Sequence, residues 1–144
     1  MRLHRFIGNF DFSKESLEVS DRGLVNQVKN VFRLKEGAEL ILCDGKKQEA
    51  LASITALDKN SVTLKIKSVS ENVNEPENQI FLYCSVLKKE NFELAAQKAT
   101  EAGVTEIFPL LTHRTVKTAI NLERLEKIVK EAAEQSGRGI LPNL

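Results

Sequence analysis

Gln97-Lys98-Ala99-Thr100-Glu101-Ala102-Gly103-Val104 reads as the end of a helix running into a buried strand. Phe92, Ala95, Ala96, Ala99 and Ala102 recur at helical spacing before it, and most are small, so the helix can lie close on a sheet. Gly103 stands where a helix favours a residue of positive φ. Upstream, Ile80-Phe81-Leu82-Tyr83-Cys84-Ser85-Val86-Leu87 is nearly continuous in apolar residues, the pattern of a strand covered on both faces. Downstream, Val104 to Leu111 reads as a second strand, with Pro109 at its fraying end or in a bulge. Thr112-His113-Arg114-Thr115 follows. Asn121 then caps a helix whose apolar stripe is Leu122, Leu125, Ile128, Val129, Ala132 and Ala133. Strand, helix, strand, helix is the rhythm of a parallel α/β sheet. Covered strands need parallel neighbours, so this region reads as the first half of a larger sheet.

Glu71-Asn72-Val73-Asn74-Glu75-Pro76-Glu77-Asn78 marks a boundary: it is polar and acidic, and Pro76 has no ladder donor. Before it the rhythm changes to period two. Val62, Leu64 and Ile66 alternate with Thr63, Lys65 and Lys67, as in a half-buried strand. Residues 50–57 supply a partner, with Asp58-Lys59-Asn60-Ser61 as the turn. Glu39 to Cys43 is a further strand ended by Asp44-Gly45, where Gly takes positive φ without strain. One helix interrupts the set. Ser20 or Asp21 caps it, Leu24, Val28, Val31 and Phe32 form its stripe, and it closes near Leu34 with Gly37 as the exit. Short strands with one helix suggest a small barrel over residues 1–73, followed by an α/β module over 79–144.

The net charge of +1 gives no bulk argument for nucleic acid, so any such affinity rests on local clusters of Lys and Arg. Charges interrupt every apolar run short of ~20 residues, which leaves no membrane-spanning helix, and the N-terminus does not read as a secretory signal. Cys43 and Cys84 lie in apolar runs and read as reduced, buried residues of a cytoplasmic protein. No metal-ligand spacing, nucleophile–base pair or phosphate-cradling glycine loop stands out.

The candidate functional residues are basic. Arg2, His4 and Arg5, with Phe6 beside them, form a cluster suited to gripping phosphates and stacking a base; the alternative is an ordinary first strand with solvated cations. Arg33 is either a cation at a helix C-terminus or a phosphate contact. Arg114 follows the end of a parallel strand, the place where ligands gather in such sheets, and Arg138 just past the last helix is a weaker case. Glu101 faces the unfavourable end of the helix dipole and calls for a partner, Lys98 at i−3 or a group across the fold.

Taken in order, several of these pieces resemble the RsmE-type family of 16S ribosomal RNA uridine-N3 methyltransferases. The first module carries Arg5-Phe6, Val31-Phe32-Arg33-Leu34-Lys35-x-Gly37 and Asp44-Gly45. The second carries Lys88, Gln97-Lys98-Ala99-Thr100-Glu101-x-Gly103-Val104, Pro109, Arg114, Arg124, Glu131-Ala132-x-Glu134-Gln135-Ser136-x-Arg138 and Pro142. Gln27, Asn30, Phe32 and Ala102 depart from the family's usual residues. The resemblance implies an N-terminal PUA-like β-barrel that binds RNA, followed by the first βαβα half of a SPOUT-type domain with a trefoil knot. It further implies a homodimer in the complete enzyme and methyl transfer from S-adenosylmethionine to N3 of a uridine. The family's Gly-Pro-Glu-Gly-Gly loop and later cofactor-binding segment have no counterpart before Leu144, so the main S-adenosylmethionine pocket is expected to be missing and this chain alone to be inactive.

On this reading Arg2, Arg5 and Arg33 contact the RNA backbone of 16S ribosomal RNA or the small ribosomal subunit. Arg114 and Arg138 flank the approach to the catalytic cleft, and no catalytic base is assigned. Two other readings remain open: a stand-alone PUA-like RNA-binding protein with a degenerate methyltransferase remnant, and a second module completed by a separately encoded partner.

Overall fold

The structure is a computed structural model that describes residues 3–88, 90–116 and 119–144. The chain divides into two compact units, Met1–Asn72 and Val73–Leu144.

The first unit holds strands β1 (His4–Ile7), β2 (Ser16–Val19), β3 (Glu39–Cys43), β4 (Gln48–Leu57) and β5 (Val62–Glu71), paired in the order β1-β3-β4-β5-β2. β1 runs parallel to β3; the other pairs are antiparallel. The β4–β5 hairpin turns through 58–61, where Asp58 N–H donates to the Ser61 carbonyl at 3.0 Å. Asp44 stabilises the β3–β4 turn by accepting from the Lys46 and Gln48 amides, and Gly45 there takes φ 74°. Apolar alternation sends Leu40, Leu42, Ala52, Ile54, Val62 and Leu64 to one face, where they join Phe6, Leu24 and Val28 in the core.

The helix of this unit departs from the expected pattern. Asp21 caps it, its carboxylate accepting from Leu24 N–H at 2.8 Å, but the regular helix α1 (Arg22–Asn26) ends at Asn26. Gln27–Val31 continues as a π-helical segment, with Phe32 N–H reaching the Gln27 carbonyl at 2.8 Å. The wider turn rotates the stripe away from the core. Val28 stays fully buried, whereas Val31 is 59% and Phe32 39% exposed.

The second unit pairs β6 (Phe81–Ser85) in parallel with β7 (Glu106–Leu110). α2 (Glu90–Glu101) connects them, and α3 (Leu122–Ser136) follows. Asn121 caps α3 by accepting from Arg124 N–H at 3.0 Å. Asn143 bridges to β7 on the edge away from β6, accepting from Ile107 N–H and donating to the Thr105 carbonyl. Pro109 lies within β7, opposite Cys84.

The expectation that both faces of these strands are covered does not hold within this unit. Both helices pack on the same face, where Phe92, Ala96, Leu125 and Val129 meet Ile107, Leu82 and Cys84. The other face presents Phe81, Tyr83, Phe108 and Leu110, and Tyr83 is 63% exposed. Tyr83 and Phe108 stack there with ring centres 4.6 Å apart. Two members of the expected helix stripes also differ: Ala102 and Leu122 are exposed, and Thr100 is buried in their stead, its hydroxyl bonded to the Ala96 carbonyl. Cys43 is buried and Cys84 half-buried, and neither forms a disulfide. Among the described residues, no helix is long and apolar enough to cross a membrane.

Candidate nucleic-acid interface

The π-helical segment places an aromatic and a cation together at the surface of the first unit. Phe32, turned out of the core, stacks on the His4 ring at a centroid distance of 4.0 Å and meets Phe6 edge-on at 5.9 Å. Phe6 itself is 1% exposed, so it anchors the platform from below and has no free face. The exposed aromatic surface here is therefore that of Phe32 and His4, not of Phe6, because of the altered helical turn. Arg33 follows directly, exposed and in the left-handed conformation at φ 53°. Such a backbone state is uncommon for a residue with a Cβ and points the chain away from the helix axis. A partly exposed ring pair beside a free-standing guanidinium can stack one base and hold a neighbouring phosphate.

Arg5 sits differently from its expected role. Its guanidinium donates to Glu49 and, at 2.9 Å, to the Cys43 sulfur, and Asn72 donates to the same Glu49 carboxylate at 2.7 Å. Burial works against its charge, but the Glu49 bond and the Cys43 sulfur outweigh it and raise its pKa. With a side chain only 10% exposed, Arg5 ties β1 to β4 instead of reaching for RNA. Arg2 lies outside the described residues.

Arg138 is corrected in the same way. Its side chain is 6% exposed, and its donors go to the Glu75 carboxylate and to the Thr100 and Val104 carbonyls. It fastens the end of α2 to the segment before β6 and leaves no free guanidinium face for a cleft. Arg114, in contrast, is exposed in a turn beyond the carboxyl end of β7. That turn is closed by Thr115 N–H to the Thr112 carbonyl at 2.9 Å and by Thr112 N–H to the Thr115 hydroxyl at 2.8 Å. Glu101 has the partner its position calls for: Lys98 bonds it at 2.8 Å and Gln97 adds a second donor. Together they hold its carboxyl below the usual range.

Models of two families match the chain: an RNA methyltransferase PUA domain over residues 28–67 and an RNA methyltransferase domain over residues 74–144. The chain belongs to this RNA methyltransferase family. It is 34% identical over 141 residues to a ribosomal RNA small subunit methyltransferase E from Rickettsia conorii, covering 96% of this chain and 57% of that protein. The crystal structure of a ribosomal RNA small subunit methyltransferase E from Neisseria gonorrhoeae, bound to S-adenosyl methionine, superposes with a TM-score of 0.92 at 29% identity. That match covers 99% of this chain and 60% of the other. A SAM-bound methyltransferase structure from Legionella pneumophila gives a TM-score of 0.90 at 30% identity, covering 100% and 62% respectively. The chain thus spans about three fifths of the length of these relatives.

Family membership raises the question of whether the residues present can hold the methyl donor. In the second unit, a cavity lined by Val86, Leu87, Phe92, Glu93, Ala119, Ile120 and Asn121 has a volume of about 30 Å³. Pockets for molecules of cofactor size run from roughly 300 to 1,000 Å³. A cavity of this size is too small for the donor. Among the described residues, no group of three or more His, Cys, Asp and Glu side chains gathers as a metal site either.

Proposed function

We propose that this chain is the RNA-binding unit and the leading part of the transfer unit of an S-adenosylmethionine-dependent methyltransferase of small-subunit ribosomal RNA. In the complete protein the reaction is N3-methylation of a uridine in 16S ribosomal RNA, carried out by a homodimer. The observation that carries this reading is the order of the two matched domains in one chain, an RNA methyltransferase PUA domain followed by an RNA methyltransferase domain. The finer architecture belongs to the same proposal: a PUA-like barrel closed from the five-stranded sheet, and a SPOUT knot built on β6 and β7. Phe32, His4 and Arg33 serve the RNA, and Arg114 serves the approach to the transferring site. The test is mass spectrometry of nucleosides from small-subunit RNA with and without the gene. Loss of 3-methyluridine on deletion is expected, and its full retention would overturn the proposal.

The small cavity of the second unit favours a distinct reading of the chain acting alone, as an RNA binder without transfer. Salt-dependent RNA binding with no methyl incorporation from labelled donor is its signature.

A further inference from the structure

Away from the Phe32 platform, the first unit holds an open groove of about 700 Å³ between the α1–π-helical segment and the β4–β5 turn. Arg22, Asn26, Lys29 and Asn30 form one wall, and Lys59 and Asn60 the other. Lys29 spans the two walls: its ammonium donates to the Asp58 carbonyl at 2.6 Å and reaches the Lys59 carbonyl at 3.4 Å. That bond fixes the width of the groove and leaves Arg22 and Lys59, both exposed, as the cations at its rim. Across the helix wall, Asn30 donates to the Asn26 side-chain carbonyl at 2.7 Å, which leaves the Asn26 NH₂ and the Asn30 carbonyl for a ligand. Glu18 is the one carboxylate in the lining, against three cations, and Val25 the one apolar side chain.

Nine of its ten lining residues carry polar or charged groups, so cations, amides and hydroxyls meet in an open trough, the chemistry that tracks a sugar–phosphate backbone. We propose that the groove holds a single-stranded segment of the RNA, with Arg22 and Lys59 on consecutive phosphates and the asparagine amides on the sugar and base edge between them. The proposal rests on the RNA-binding reading above and adds to it a second contact region, built from different residues than the Phe32 platform.

The test is fluorescence anisotropy of the whole chain with a labelled single-stranded oligoribonucleotide over a series of salt concentrations. Arg22→Gln and Lys59→Gln are each expected to lower the slope of log K against log salt by about 0.7, and the pair by roughly twice that. Lys46→Gln, on the β3–β4 turn and outside the groove, is expected to leave the slope unchanged. Because Arg22 and Lys59 are exposed, all three variants should keep the wild-type circular dichroism spectrum. Wild-type binding with an unaltered slope in both groove variants would overturn the groove proposal and leave the RNA-binding reading intact. An equal loss in Lys46→Gln would overturn it too, by showing a diffuse field. Absence of any wild-type binding would overturn both.

Discussion

Glu75 and Arg138, 63 residues apart in sequence, form a buried ion pair with 2.8 Å between carboxylate and guanidinium. The carboxylate also accepts from the Gly139 and Ile140 amides, and the guanidinium also donates to two carbonyls around the end of α2. The pair therefore joins three segments of the second unit. Removing either partner strands a buried charge. Arg138→Ala is expected to destabilise this unit by about 3 kcal/mol, read as a shift in its urea transition. A change under 1 kcal/mol would show that the pair is dispensable.

The same pair sets an acid limit. Burial pushes the Glu75 carboxyl up, but the Arg138 hydrogen bond and the two amides outweigh it, leaving its pKa below the ordinary 4.5. A carboxyl lowered on folding contributes stability that is fully present above its unfolded pKa and is lost as pH falls through the folded one. The second unit should therefore weaken below about pH 4.5, and Glu75→Gln should flatten that part of the stability profile. An identical pH slope in wild type and variant would contradict the assignment.

Gly103 and Gly37 both adopt left-handed backbone, at φ 97° and 84°, yet their surroundings differ. A Cβ on Gly103 would lie 2.4 Å from Pro76 Cγ, whereas one on Gly37 meets nothing within 4 Å. Gly37→Ala should cost only the backbone term, ~1 kcal/mol. Gly103→Ala adds a clash with a ring that cannot swing away, and about 2 kcal/mol or more is expected. Thermal unfolding of the two variants checks the order.

At the Phe32 platform, stability and binding should move apart. Phe32→Ala is expected to weaken RNA binding by about 1–3 kcal/mol, the range for a lost base-stacking ring. Arg33→Gly relieves a left-handed side-chain conformation, so it should leave the first unit unchanged or up to ~1 kcal/mol more stable while reducing affinity. A destabilised Arg33→Gly variant with full affinity would reverse both assignments.

Isothermal titration of the chain with S-adenosylmethionine should show no binding, given the 30 Å³ cavity. Tight binding would overturn the misfit.

Features governed by near neighbours were legible in the sequence. β3 appears at Glu39–Cys43 as its apolar run indicates, the β4–β5 turn falls on 58–61, and Asn121 caps α3. β2 escaped notice because it is four residues long with one buried side chain, Leu17, and exists through pairing with β5. The π-helical segment was equally invisible: a single extra residue per turn rotates Val31 and Phe32 outward, while the apolar spacing still reads as a regular stripe. Arg33 and Arg114 were found as exposed cations because their positions, past an apolar stripe and past a strand end, are local facts. The buried partners of Arg5 and Arg138 were not legible, because Glu49 and Glu75 stand 44 and 63 residues away. The groove has the same difficulty, since its walls come from opposite sides of β3.

The β7 edge that receives Asn143 carries its own stop mark. Ile107 turns its N–H toward Asn143, and two residues on, where alternation calls for the next hydrogen on that edge, stands Pro109 with none. A strand pairing along that edge finds a donor at Ile107 and none at the next position. Pro109 thus acts as a gap in the ladder, weakening any pairing that runs past Asn143.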